Sequence, residues 1–114
     1  MDGPAAEDRA LLYLQGQGLK LIARNWRCKV GELDLVMRDA DTLVIAEVRS
    51  RGRADYGAAA ETVDWRKQAK LVRATRVLFA ARPELADHPL RFDVVTLDRD
   101  GNIEWLREAF EVEE

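Results

Sequence analysis

The feature that most constrains the fold is the apolar run at residues 43–46 (Leu-Val-Ile-Ala), which ends directly at Glu47. A continuous apolar run of this length is typical of a central β-strand that is covered on both faces. A chain of 114 residues has room for one such sheet and the helices that cover it. We therefore expect a single α/β domain over residues 1–114, with a central mixed sheet flanked by helices.

Periodicity predicts the element order helix, three strands, helix, two strands. Apolar residues at three- and four-residue spacing predict a helix over 6–17, and alternation favours strands over 19–27 and 33–37. A turn composition at 39–42 joins the third strand as a hairpin. A looser segment at 50–60 leads to a helix from about Asp64, a plausible N-cap, to Arg82, followed by strands from Phe92 and from Ile103. An acidic tail is expected from about residue 107.

Composition excludes several kinds of site. One cysteine, Cys28, and one histidine, His88, cannot form an internal disulfide or a Cys/His zinc site. A bound metal would therefore need carboxylate ligands. No apolar run reaches the length of a membrane span and the N-terminus does not have the pattern of a signal peptide, so we expect no membrane contact and a cytoplasmic location.

Charge is segregated along the chain despite a net charge of only −3. Residues 20–76 contain 13 Lys/Arg and 8 Asp/Glu, whereas residues 98–114 contain two Arg and seven acids. This asymmetry is compatible with a polyanion-binding face beside an acidic tail. Uneven scatter in a small protein is the alternative.

The hairpin register brings two acids together. If the hairpin folds between Ala40 and Asp41, Asp34 lies opposite Glu47. Opposed side chains of an antiparallel pair have Cβ atoms about 4.5 to 5.5 Å apart, and like charges there destabilise the pair unless something neutralises them. A divalent cation is the simplest candidate, and ligation by oxygens alone favours Mg²⁺ or Mn²⁺. Alternatively, Glu47 pairs with Arg49 or Arg51 and Asp34 faces water, or an odd loop turns Glu47 to the other face.

Several separated blocks resemble one protein family. They are Glu7 with Ala10 and residues 13–14 in the first helix, residues 24–28 (Arg-Asn-Trp-Arg-Cys), 31–35 (Gly-Glu-Leu-Asp-Leu), 47–51 (Glu-Val-Arg-Ser-Arg), 67–68 and 91–95. The acidic blocks resemble the PD-(D/E)xK nuclease signature. The whole chain resembles the YraN family of inferred bacterial endonucleases, similar in fold to archaeal Holliday-junction resolvases. The resemblance implies a fold of restriction-endonuclease type.

The resemblance also implies a metal site. Asp34 and Glu47 would be ligands, the backbone carbonyl of Val48 a third, and Glu7 would approach from the first helix. Arg49 stands where the superfamily has lysine. Guanidinium stays charged and can only donate hydrogen bonds, so Arg49 could stabilise charge on the phosphate but not take a proton. Gln68 resembles a residue that positions the attacking water, with a solvated helix residue as the alternative.

Basic residues of the second helix and the preceding loop are candidate DNA contacts. They are Arg66, Lys67, Lys70 and Arg73 on the helix, with Arg76 beyond them, and Arg51 and Arg53 in the loop. A solvated helix face is the alternative for the helical residues. Trp26 and Trp65 could stack on bases, although packing in the core or an interface is the more common role of tryptophan.

The acidic pair, the basic residues and the family resemblance together predict a metal-dependent endonuclease. It would cut DNA phosphodiester bonds at branched or damaged structures, which it would recognise by their shape rather than by their base sequence. The alternative is a non-catalytic nucleic-acid-binding or accessory protein on a nuclease fold, for which Arg49 is the motivating residue. By analogy with resolvases, symmetric cleavage of two strands would call for a homodimer.

Overall fold

The computed structural model describes residues 3–51 and 63–111. The elements follow the predicted order, with one short addition. They are α1 (Gly3–Gly16), β1 (Lys20–Cys28), β2 (Gly31–Asp39), β3 (Thr42–Ser50), α2 (Trp65–Ala81), a short 3-10 helix (Pro83–Asp87), β4 (Leu90–Leu97) and β5 (Ile103–Phe110).

The five strands form one mixed sheet in the order β1-β2-β3-β4-β5. Only the central pair, β3 and β4, is parallel, and the other neighbours are antiparallel. A parallel pair needs a crossover, which the chain makes through α2. The predicted α/β class with a central mixed sheet is confirmed.

The central strand is covered on both faces, as its apolar run predicts. Val44 and Ala46 pack with α1 residues such as Leu14 in one cluster. Ile45 packs with α2 residues such as Leu71 in a second cluster on the opposite face. Because α1 and α2 lie on opposite faces of the sheet, a residue near the C-terminal end of β3 can be reached from both helices.

The predicted hairpin register is confirmed over its paired length. Asp39 pairs with Thr42, Val36 with Ile45, and Leu35 with Ala46. The two-residue turn has Ala40 at a φ of 51°, in the left-handed region. With an even loop, Glu47 falls on the face of Ile45 rather than on that of Ala46.

The ends of the elements differ slightly from the predictions. The first helix ends at Gly16 because Gly18, at a φ of 97°, turns the chain and Leu19 bonds back to Leu14. The acidic segment expected from about residue 107 begins inside β5, which continues to Phe110. Acids on this edge strand interrupt the apolar pattern by which a strand is predicted from the sequence. Residues 112–114 lie outside the described residues. No described helix is long and apolar enough to span a bilayer.

Candidate metal centre

Asp34 and Glu47 lie side by side where the β2–β3 ladder ends. The paired register stops at Leu35 and Ala46, one residue before the two acids. If the ladder continued, the Val48 amide would bond a backbone carbonyl of β2. Instead it donates to Asp34 Oδ2 at 2.9 Å. The Asp34 carboxylate is therefore fixed against β3 beside Glu47.

Glu47 is a buried carboxyl group with incomplete hydrogen bonding. Its side chain is 5% exposed, and Lys67 Nζ of α2 lies 3.5 Å from its Oε1. The other oxygen, Oε2, accepts no hydrogen bond from any described residue. Burial, followed by the charge of Asp34, raises the pKa of Glu47 to about 8, although Lys67 and Arg49 act in the opposite direction. The site therefore favours a proton or a cation at Glu47.

A cleft of about 330 Å³ opens over these acids, between the first turns of α1 and the end of β3. Most of the predicted catalytic residues line it: Glu7, Asp34, Glu47, Val48 and Arg49. Glu7 reaches it because Ala6 and Ala10 seat α1 on the sheet. The structure thus gathers five sequence-predicted residues from three elements.

A carboxylate triad that could hold a metal ion extends from this cleft. It consists of Glu7, Glu32 and Asp34, with one oxygen from each lying within 4.8 Å of the others. Glu32 is not among the ligands predicted from the sequence, although its two-residue spacing from Asp34 in a strand was a usable signal. Arg24 is 3.6 Å from Glu7, and Arg27 is 3.6 Å from Glu32. Asp34 belongs to both the triad and the pair with Glu47.

Gln68 and its neighbour Lys67 lie on different sides of α2. Gln68 Nε2 donates to the Val63 carbonyl at 3.0 Å, and the side chain lines a different cleft beside Trp65. Lys67, predicted as a DNA contact, is the residue that contacts Glu47. The Asp64 carboxylate caps α2 by accepting from the Lys67 amide at 2.9 Å, which fixes the helix start above Glu47.

The predicted DNA-contact residues other than Lys67 fall into three groups. Arg66, Lys70 and Arg73 are exposed on α2, as is Arg76, and none forms an ion pair with a described carboxylate. Arg51 is held by Glu104 at 3.0 Å. Arg53 lies outside the described residues.

Asp93, part of one block of the resemblance, is buried away from the cleft. It accepts hydrogen bonds from Arg91, from Trp105 Nε1 and from the Glu108 amide, where β5 is irregular. A fully bonded buried acid of this kind stabilises the β4–β5 pair. Trp26 packs against the core on the α2 face, whereas Trp65 stays 71% exposed.

Sequence comparison places these features in one family. Residues 6–97 match the family described as Uncharacterised protein family UPF0102. A UPF0102 protein of Pseudomonas entomophila strain L48 is 54% identical over 113 residues, covering 96% of this chain and 92% of the relative. A UPF0102 protein of Stutzerimonas stutzeri strain A1501 is 48% identical over 112 residues, covering 96% and 93%. The chain belongs to the UPF0102 family.

Proposed function

We propose that this protein is a divalent-metal-dependent endonuclease that hydrolyses DNA phosphodiester bonds at the cleft over Asp34 and Glu47. The observation that carries the proposal is the buried Glu47 carboxyl beside Asp34, with one oxygen that accepts no hydrogen bond from the described residues. Two adjacent carboxylates at a cleft repel each other and lose hydration, and a bound cation offsets both effects. The resemblance of this chain to PD-(D/E)xK nucleases supports the same reaction.

The residues at the cleft fit a hard divalent cation. Glu47, Asp34 and the Val48 carbonyl offer oxygen donors, and Glu7 with Glu32 offers more. Oxygen donors alone favour Mg²⁺ or Mn²⁺ over zinc. When bound, such a cation stabilises negative charge on phosphate and activates water.

The chain supplies positive charge to the same place from two elements. Arg49, from β3, lines the cleft and would donate hydrogen bonds to phosphate oxygens as they gain charge. Lys67, from α2, orients Glu47 through its 3.5 Å ion pair. Lysine is therefore present at the site although Arg49 occupies the usual lysine position.

DNA is the proposed substrate because exposed cations run along α2 from the same end of the sheet. Arg66 and Lys70 lie one turn apart with no ion pair to a described carboxylate, so they are available to phosphates. Contacts of this kind select a backbone shape rather than a base sequence. Branched or damaged DNA fits such a mode of recognition.

Cleavage of a DNA panel tests the proposal. Wild-type protein with Mn²⁺ or Mg²⁺ is expected to cut at least one of a branched, a nicked and a single-stranded substrate. Asp34→Asn and Glu47→Gln should each lower the rate by about a hundredfold or more. Glu84→Gln, in the exposed 3-10 helix, is the matched control and should cut normally. Equal cleavage by Glu47→Gln, or no cleavage of any substrate, would contradict the proposal.

A second candidate is a DNA-binding protein on the same fold without turnover, favoured by Arg49 at the lysine position. Arg49→Lys and Lys67→Met separate the two. In an active enzyme that uses Lys67, Lys67→Met loses cleavage but keeps metal binding, whereas Lys20→Met, at an exposed position of β1, keeps both. In a protein that has lost turnover, wild type is inactive and only Arg49→Lys gains cleavage.

A further inference from the structure

A second and larger cleft, of about 600 Å³, lies between α2 and the end of β5. We call it the Trp65 cleft. Trp65, Ala69, Val72 and Arg76 line it from α2 at spacings of four, three and four, which places them on one flank of the helix. Phe110 lines it from β5. Lys67 belongs to the same helical turn but does not line this cleft, and instead contacts Glu47 of β3.

Trp65 presents unused aromatic surface in this cleft. The other two tryptophans have partners: Trp26 packs on the core and Trp105 contacts Tyr13 edge-on. Trp65 is 71% exposed, with the Arg66 guanidinium 5.2 Å from the ring centroid. Burial of an exposed indole by a binding partner stabilises the complex, and a planar partner adds a stacking interaction.

The charges of the Trp65 cleft are cationic on the α2 side. Arg73 and Arg76 line it, and neither forms an ion pair with a carboxylate in residues 3–51 or 63–111. Ala69 and Val72 supply apolar surface between them and the indole. Glu111 is the acidic lining residue, on the side away from α2, and would repel a phosphate placed there.

We propose that the Trp65 cleft binds an unpaired nucleotide of a DNA strand, with the base stacked on Trp65 and the phosphate held by Arg73 and Arg76. Aromatic surface joined to a cationic track is the usual combination for binding single strands. The proposal rests on DNA as the partner in the proposed function, and it deepens that function by naming substrates with an unpaired strand. A peptide is disfavoured because the free cations call for a repeating anion.

Binding without turnover tests this inference. Anisotropy of a fluorescein-labelled oligo(dT) strand and of a blunt duplex of equal length is measured in EDTA, so that cleavage plays no part. Trp65→Ala should weaken single-strand binding by about fivefold to a hundredfold, the loss of one stacked base. Duplex binding should change less than about twofold, and Trp65→Phe should restore most single-strand affinity. Because Trp65 is exposed, the variant should fold normally.

Arg76→Ala and Lys70→Ala form a matched pair on the same helix. Arg76→Ala should lower the ratio of single-strand to duplex affinity, whereas Lys70→Ala, outside the cleft, should leave that ratio unchanged. Equal loss on both DNAs in Trp65→Ala, an unchanged single-strand affinity, or no binding of oligo(dT) by wild type would each overturn the inference. DNA cleavage that is unchanged in Trp65→Ala would overturn the inference about the Trp65 cleft and leave the nuclease proposal intact. Trp65-dependent binding of the single strand by a protein that cuts no DNA would support the inference and contradict the nuclease proposal.

Discussion

Glu47 is a carboxyl group whose charged form is destabilised by its position in the fold. It follows four apolar residues of the central strand and is buried next to a second carboxylate. Lys67 offsets part of the cost through its contact with Oε1, while Oε2 accepts no hydrogen bond from the described chain. A residue placed only for packing would be apolar here, so the acid indicates a site.

Glu47 should make the stability of the metal-free protein depend on pH. Its pKa is about 8 in the fold against 4.5 for an ordinary glutamate, so between these values the folded state holds the extra proton. The free energy of unfolding should therefore fall as pH rises from 4.5 to about 8. In Glu47→Gln this contribution is absent, and the curve should be flatter over that window.

Urea unfolding in EDTA across that pH range measures the difference. Glu84→Gln, an exposed glutamate, should follow the wild-type curve because its carboxylate is not buried. Parallel curves for wild type and Glu47→Gln would show that the Glu47 carboxyl titrates normally in the fold.

At the scale of elements, the β2–β3 hairpin and α2 place the site residues. The hairpin could be predicted because its even turn and alternating pattern fix which face each residue takes. The neighbourhood of Asp34 and Glu47 followed from that register. The contact between Lys67 and Glu47 could not be predicted, because it depends on how α2 lies across the sheet. Choosing Lys67 over Gln68 requires the helical phase, and two adjacent residues differ by about 100° around the axis.

The cap of α2 links helix stability to the site. Asp64 accepts from the Lys67 amide, so Asp64→Ala should destabilise the protein by about 1 kcal/mol. Asp64→Ser keeps an oxygen that can cap and should retain most of the stability. Thermal unfolding monitored by circular dichroism measures both variants. An Asp64→Ala variant as stable as wild type would mean that the cap contributes nothing to α2.

In the molecule as a whole, two helices on opposite faces of one sheet both contribute residues at the end of the β2–β3 ladder. α1 contributes Glu7 and α2 contributes Lys67, and the strands between them carry Asp34 and Glu47. The chain has a net charge of −3, yet α2 carries no acid and has four exposed cations, Arg66, Lys70, Arg73 and Arg76, without an ion pair to a described carboxylate. Under the proposed function, this face would attract DNA to one side of a molecule that is acidic overall.

This distribution predicts the salt dependence of duplex binding. Arg66→Gln combined with Lys70→Gln should weaken duplex binding and reduce the slope of log affinity against log salt by about 1.8, two phosphate contacts. Lys20→Gln combined with Lys29→Gln removes the same charge from exposed positions of β1 and the turn after it, and should leave the slope unchanged. Equal effects of the two pairs would indicate net charge rather than a face.

Calorimetric titration of Mn²⁺ at neutral pH measures whether Asp34 and Glu47 bind a divalent cation, on which the proposed hydrolysis depends. Wild type, Glu47→Gln and Glu84→Gln are compared, with and without a DNA strand present. Wild type and Glu84→Gln should each bind Mn²⁺ at one saturable site, and Glu47→Gln should lose that site. Identical Mn²⁺ binding by wild type and Glu47→Gln, or no binding by wild type even with DNA, would contradict a metal site at Asp34 and Glu47.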